Sequence, residues 1–121
     1  MSLILIVDDS PVEQHVYCQA LEQRGFDTIV AGDGEEAIAI AKEKLPDLII
    51  MDVVMPGMNG FQATRKLQKT TETAAIPVVI ISTKNQETDK IWAKRQGACD
   101  YLVKPVKPEA LVDVVEARLQ Q

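Results

Sequence analysis

Acidic, hydroxyl and amine side chains follow four separate apolar segments of this 121-residue chain. Asp8 and Asp9 come directly after "LILIV", and Asp52 comes after "LIIM". Ser82 follows "VVII", and Lys104 follows "YLV". If each apolar segment is a strand of one parallel sheet, the carboxyl ends of the strands meet at one edge and bring these groups together. Such a cluster could bind a cation and transfer a charged group.

The chemistry of the cluster follows from the repulsion among its acids. Carboxylates packed together make one another harder to ionise, and a hard divalent cation removes that cost. Mg²⁺ (or Mn²⁺) accepts carboxylate oxygens and completes its shell with water and phosphate oxygens, whereas Zn²⁺ would need nitrogen or sulfur ligands. One carboxylate can also act as a nucleophile and form an aspartyl-phosphate. We expect Asp52 in that role, with Lys104 neutralising phosphoryl charge and Ser82 donating a hydrogen bond.

The elements that must position these groups alternate along the chain. Apolar runs rich in Ile and Val predict five buried parallel strands at Leu3–Val7, Thr28–Ala31, Leu48–Met51, Val78–Ile81 and Tyr101–Val103. Five helices are predicted from Ser10 to Gly25, from Gly34 to Lys44, from Asn59 onward, from Glu87 to Gln96 and from Pro108 to Leu119. The alternation predicts one α/β domain over residues 1–121, with a doubly wound, flavodoxin-like sheet of strand order 2-1-3-4-5.

Two predicted helix starts carry local signals. Ser10-Pro11-Val12-Glu13 fits a capping box, in which Glu13 would return a hydrogen bond to the backbone of Ser10. Gly32-Asp33-Gly34-Glu35-Glu36-Ala37 fits the G-x-G-x-x-A pattern of dinucleotide-binding proteins, and Asp52 lies 20 residues past Gly32. We interpret the second stretch as a turn and first-turn charges, because acids would lie where a pyrophosphate must bind.

Composition excludes several classes of function. The net charge of −5 opposes binding to nucleic acid and to anionic membrane surfaces. Apolar runs are too short for insertion into a membrane or for the core of a signal peptide. Cys18 and Cys99 lack metal-ligand spacing, so we expect free thiols in a cytoplasmic protein. A Mg²⁺-dependent phosphatase with Asp52 as nucleophile is an alternative, but few residues remain for a cap or a substrate pocket.

Four segments, "ILIVDDS", "PDLIIMDVVMPGMNG", "PVVIIST" and "GACDYLVKPV", resemble the signature of receiver domains of two-component response regulators. The resemblance covers the whole chain. It implies phosphotransfer from a histidine kinase to Asp52 and a Mg²⁺ site formed by Asp8, Asp9, Asp52 and the backbone carbonyl of Val54.

The same resemblance implies a switch. Ser82 occupies the position of the family's switch hydroxyl, and Tyr101 that of the aromatic side chain that moves inward on activation. Lys104 matches the family's lysine, and the bond from Lys104 to Pro105 is expected to be cis. Thr83 departs from the small alanine that is common in the family, which could narrow access to the acyl phosphate.

The segments "NGFQATRKL" and "TKNQETDKIWAKRQGACDYLVKPV" resemble single-domain regulators of type IV pili and twitching motility. We expect output through protein contact and no output domain, because only one helix is predicted after Lys104. We also expect a monomer that dimerises weakly at most on phosphorylation. A phosphate sink or a chemotaxis or phototaxis regulator is the alternative. The expected partner face is the fourth helix, fifth strand and fifth helix, with Lys90, Trp92, Lys94 and Arg95. Trp92 could equally be an aromatic that supports the fourth helix.

Overall fold

The computed structural model describes residues 2–120 and contains five strands and five helices in strict alternation. The strands are β1 (Leu3–Val7), β2 (Asp27–Ala31), β3 (Leu48–Asp52), β4 (Val78–Ser82) and β5 (Asp100–Val103). The helices are α1 (Pro11–Gln23), α2 (Gly34–Lys44), α3 (Gly60–Lys69), α4 (Glu87–Arg95) and α5 (Pro108–Leu119). The predicted elements are confirmed, with bounds that differ from the prediction by a residue or two.

All neighbouring strands are parallel, and their order is β2-β1-β3-β4-β5, as predicted. The register fixes the edge on which the polar residues lie. Val7 pairs with Met51, so the residues that follow them, Asp8 and Asp52, are neighbours across the β1–β3 ladder. Ser82 pairs with Val103, which precedes Lys104 in the chain. The polar residues at four strand ends therefore lie along one edge of the sheet.

Alternating side chains of the strands build one apolar layer on each face of the sheet. On one face, Leu5 and Met51 pack in a cluster with residues of α2, α3 and α4. On the other face, Ile6 and Ile50 pack in a cluster with residues of α1 and α5. Because Asp8 and Asp52 follow Ile6 and Ile50 by two residues, their side chains point toward the face that α1 and α5 cover.

Helix ends follow their local sequences, with one exception. Asn59 and Gln62 form a reciprocal capping box at the start of α3. Gly25 ends α1 with φ of +88°, a conformation that glycine adopts without strain. Ser10 caps α1 by accepting from the backbone of Glu13 at 3.4 Å. The predicted return bond is wrong, because the Glu13 carboxylate binds Lys104 instead.

The predicted cis peptide between Lys104 and Pro105 is confirmed. None of the helices in residues 2–120 combines the length and apolar composition needed to cross a bilayer.

Candidate functional site

Three carboxylates meet where β1 and β3 end, as the sequence predicts. Oxygen atoms of Asp8, Asp9 and Asp52 all lie within 4.8 Å of one another. Asp8 is only 2% exposed and Asp52 6% exposed, whereas Asp9 faces solvent. The backbone N–H of Ser10 donates to Asp8 Oδ1 at 2.9 Å and fixes the orientation of that carboxylate. The cluster is therefore buried on the side of Asp8 and Asp52 and exposed to solvent on the side of Asp9.

The amine of Lys104 lies among three carboxylates. Its Nζ is 2.8 Å from Glu13 Oε2, 3.1 Å from Asp52 Oδ1 and 3.4 Å from Asp8 Oδ2. The Lys104 side chain is only 14% exposed. A largely buried amine with several carboxylate partners remains charged, and it offsets part of the repulsion among the acids.

Glu13 belongs to this cluster, although its sequence pattern did not predict it there. It lies in the first turn of α1, which begins at the sheet edge where β1 ends. The capping-box pattern of the sequence predicts that the Glu13 carboxylate accepts a hydrogen bond from the backbone of Ser10, and not that it contacts a distant lysine. Only the position of Lys104, 91 residues further along the chain, decides that Glu13 joins the cluster.

Burial and neighbouring charges shift the pKa values of these groups in different directions. Desolvation raises the pKa of Asp8 to about 6, and the nearby Asp52 charge adds to the rise while Lys104 opposes it. Desolvation also raises the pKa of Asp52, against the lowering effect of Lys104. For Glu13, desolvation raises the pKa, but the hydrogen bonds with Lys104 and Asp8 and the charge of Lys104 together outweigh it, so the pKa is lowered. The partners of Lys104 likewise outweigh desolvation and raise its pKa.

The composition of the cluster fits a hard cation. Asp8, Asp9 and Asp52 offer only oxygen ligands, two of them with side chains that burial makes costly to ionise. Mg²⁺ prefers a site of a few carboxylates with room for water and phosphate oxygens, and the solvent-facing side beside Asp9 provides that room. Val54, whose carbonyl the family resemblance adds to the ligand set, lies two residues past Asp52 in an exposed position.

Gly60 fixes the loop between Asp52 and α3. Its N–H donates to the carbonyl of Val53 at 2.9 Å. A Cβ at Gly60 would overlap the carbonyl oxygen of Asp52, so only glycine permits this approach of the helix start to the strand end. The first residue of α3 is therefore part of what holds Asp52 in place.

The predicted switch residues Ser82 and Tyr101 contact the same loop residue. Ser82 is 1% exposed, and its Oγ accepts from the backbone N–H of Lys84 at 3.1 Å. The Tyr101 hydroxyl donates to the backbone carbonyl of Lys84 at 2.8 Å. Lys84, in the loop between β4 and α4, is therefore held from both sides by the two predicted switch residues.

The four residues assigned to a partner face divide between two sides of α4. Lys90 and Lys94 line a cavity against β5 together with Tyr101. Trp92 and Arg95 instead line a groove against α3. These four residues therefore do not line a single groove, because positions two residues apart lie on opposite sides of a helix. Their assignment to the partner face of α4, β5 and α5 stays a prediction.

The helix start that resembles a dinucleotide-binding pattern is occupied by the chain's own acids. Asp33 Oδ1 accepts from the backbone of Glu36 at 2.8 Å. Glu36 Oε1 in turn accepts from the backbone of Gly32 at 2.8 Å. These carboxylates occupy two backbone donors at and just before the start of α2, where a pyrophosphate would bind, which supports their interpretation as a turn and first-turn charges.

Comparison with known proteins adds a family to this geometry. Residues 4–116 match the family described as response regulator receiver domain. The chain is 54% identical to Protein PilH of Pseudomonas aeruginosa over 119 residues, which cover 98% of each chain. It is 39% identical to the DNA-binding response regulator MtrA of Mycolicibacterium smegmatis, over 98% of this chain and 50% of that longer protein.

Solved structures with the same fold support the match. The chemotaxis protein CheY4 of Vibrio cholerae superposes with a TM-score of 0.92 at 32% identity, over 97% of this chain and 98% of that chain. A putative response regulator from Chloroflexus aurantiacus superposes with a TM-score of 0.93 at 31% identity, over 99% of this chain and 98% of that chain.

Proposed function

This chain belongs to the family of response regulator receiver domains, and from that premise we propose that it accepts a phosphoryl group on Asp52 in a two-component phosphorelay. The donor is the phosphohistidine of a histidine kinase. The observation that carries the proposal is the position of Asp52, a nearly buried carboxylate within reach of two further acids and 3.1 Å from an amine.

In the transfer step, a carboxylate oxygen of Asp52 attacks the phosphorus atom while the phosphorus–nitrogen bond to the histidine breaks. The electron pair of that bond leaves with the imidazole, and an acyl phosphate forms on Asp52. The amine of Lys104, whose raised pKa keeps it charged, lies beside the nucleophile and stabilises the charge that develops on the phosphoryl oxygens. Glu13 holds that amine at 2.8 Å and orients it toward Asp52.

Asp8, Asp9, Asp52 and the carbonyl of Val54 would hold Mg²⁺ or Mn²⁺. When bound, the cation neutralises acidic repulsion and stabilises phosphoryl charge. Asp8 is well suited to this role because Ser10 fixes its orientation and burial makes its charge costly without a cation.

Phosphorylation would act on Lys84 through the two switch residues. If the Ser82 hydroxyl turns to a phosphoryl oxygen, it gives up the N–H of Lys84, and the carbonyl that holds Tyr101 moves with the loop. A shift in population from 1:99 to 99:1 needs about 5.5 kcal/mol. Two charge-assisted hydrogen bonds, from Ser82 and Lys104, supply roughly 1.5–3 kcal/mol each, which is of that order.

We propose that phosphorylation changes the contacts of this chain with partner proteins. We further propose that the chain is a cytoplasmic regulator in chemotaxis-like control of type IV pili and twitching motility. The resemblance of the α3 and α4 segments to pilus regulators and the 54% identity to PilH support this assignment. A phosphate sink is the alternative, and it would need no change on the face of β5 and α5. Equal affinity of phosphorylated and unphosphorylated protein for every partner would favour the sink.

Asp52→Asn tests the site. With purified kinase and labelled ATP, wild-type protein should become labelled and the variant should not, because the amide cannot act as the nucleophile. Asp113→Asn removes an exposed acid of α5 and serves as a control that should be labelled like wild type. Undiminished labelling of Asp52→Asn would refute the assignment, and loss of labelling on chelation by EDTA would support the need for a divalent cation.

A further inference from the structure

An open groove of about 870 Å³ lies between α2 and α3. Ile38 of α2 and Met58 of the β3–α3 loop give it apolar walls, and both side chains are only partly buried. None of the carboxylates of the phosphorylation site lines this groove, and neither does Lys104. It is therefore a separate surface feature with an apolar part that the fold does not cover.

The rim of this groove is basic in an acidic protein. Lys42, Arg65, Lys66 and Lys69 line it, and Glu35 is the one acid among the lining residues. These are four of the chain's 13 basic residues, although the net charge is −5. Within residues 2–120 none of the four makes an ion pair, whereas the ion pairs that are present use Arg24, Lys44, Lys104 and Arg118. Their charges are available to a partner.

The basic surface continues across α3 onto α4. A second groove, of about 410 Å³, shares Arg65 and Lys69 with the first and adds Arg95 and Trp92. Trp92 is 48% exposed, which is unusual for the only tryptophan of a small domain. Exposed aromatic side chains next to arginine are the residues that most often anchor protein interfaces.

We propose that the surface formed by these two grooves binds an acidic amphipathic segment of a partner protein. Apolar side chains of the segment would pack against Ile38 and Met58, and its carboxylates would face Lys66 and Lys69. A peptide fits better than nucleic acid or a membrane for two reasons: the groove is partly apolar, and the overall charge of −5 repels extended polyanions. The inference goes beyond the proposed phosphotransfer and does not depend on it.

The test begins with a peptide display library panned on the full chain. We expect enriched sequences with a net negative charge and apolar residues at helical spacing. An enriched set without excess negative charge, or no enrichment at all, would overturn the proposal. A fluorescein-labelled peptide from the enriched set then serves as the probe for measurements of affinity by fluorescence polarisation.

Matched double variants localise the binding. Lys66→Glu with Lys69→Glu reverses two exposed charges of α3 at the groove, and we expect the affinity for the peptide to fall about tenfold or more. Lys90→Glu with Lys94→Glu makes the same change in net charge on the other side of α4 and should leave the affinity within about twofold. Circular dichroism and thermal unfolding of both variants verify that the fold is retained.

Equal weakening by both double variants would mean that net charge alone drives binding, and it would overturn the proposal. Amide shifts in labelled protein should cluster at Ile38, Lys42 and Met58 on peptide addition, and shifts confined to β5 and α5 would also refute it. A short DNA duplex and phosphatidylserine vesicles complete the experiment. If the DNA or the vesicles bind more tightly than the peptide, and the Lys66→Glu and Lys69→Glu variant loses that binding, the surface is a site for nucleic acid or membrane. That result would overturn the proposal.

Discussion

Asp8→Asn should stabilise the protein in the absence of a divalent cation, although it removes a residue proposed for the site. Burial raises the pKa of Asp8 from 3.8 to about 6. Between these two pH values, Asp8 is therefore protonated in the folded chain and ionised in the unfolded chain. The free energy of unfolding therefore falls as pH rises from about 4 to about 6, and the whole penalty is present above pH 6. At neutral pH the ionised Asp8 side chain lowers the free energy of unfolding, and replacement by the uncharged isostere Asn removes this penalty.

The size of the effect follows from the same shift. A difference of about 2 pKa units corresponds to about 3 kcal/mol, at about 1.36 kcal/mol per unit. The amide oxygen of the variant can still accept from the N–H of Ser10, but the amide cannot pair with Lys104, which lies 3.4 Å from Asp8 Oδ2. We therefore expect a net gain of about 1–2 kcal/mol at pH 8.

Urea unfolding of dilute protein in EDTA, followed by circular dichroism, measures this gain. As the pH is lowered from 8 to 5, the difference in free energy of unfolding between variant and wild type should shrink by roughly 1.4 kcal/mol, because Asp8 of the folded wild type becomes protonated. Added Mg²⁺ should raise the free energy of unfolding of wild type and have little effect on the variant.

The exposed Asp9 provides the control, and Asp9→Asn in EDTA should change the free energy of unfolding by no more than about 0.5 kcal/mol. A loss of stability in Asp8→Asn at pH 8, or a gain that is the same at both pH values, would refute the reasoning. The loss would mean that the pairing with Lys104 outweighs the cost of burying the carboxylate. The pH-independent gain would mean that the stabilisation does not come from the ionisation of Asp8.

Two further substitutions test how the fold holds the site. Gly60→Ala should cost about 1–3 kcal/mol, because its Cβ would overlap the Asp52 carbonyl oxygen, whereas Gly32→Ala, with open space around it, should cost under about 0.5 kcal/mol. Equal costs in urea unfolding would contradict the close approach at Gly60. Thr73→Val should cost about 1–2 kcal/mol, because the buried hydroxyl of Thr73 donates to the carbonyl of Leu67 at 2.6 Å. An unchanged unfolding midpoint would show that this bond contributes nothing.

The predicted partner residues of α4 line two different grooves, which the sequence alone did not predict. Lys90, Trp92, Lys94 and Arg95 are close in sequence, and the family resemblance assigned them to one face. Their helical positions divide them between β5 and α3, and the division becomes visible only when the neighbours of α4 are known. Long-range packing, which local sequence does not encode, decides which groove each side chain lines.

By itself, the sequence determined the alternation of strands and helices, the strand order and the convergence of Asp8, Asp52 and Lys104. It could do so because parallel strands buried on both faces leave a strong apolar pattern, and their carboxyl ends must share one edge. Only the tertiary structure decided that Glu13 binds Lys104 instead of capping α1. It also decided that Ser82 and Tyr101 both hydrogen-bond to the backbone of Lys84. Those contacts join residues up to 91 positions apart, and their geometry depends on how α1 and the β4–α4 loop pack on the sheet.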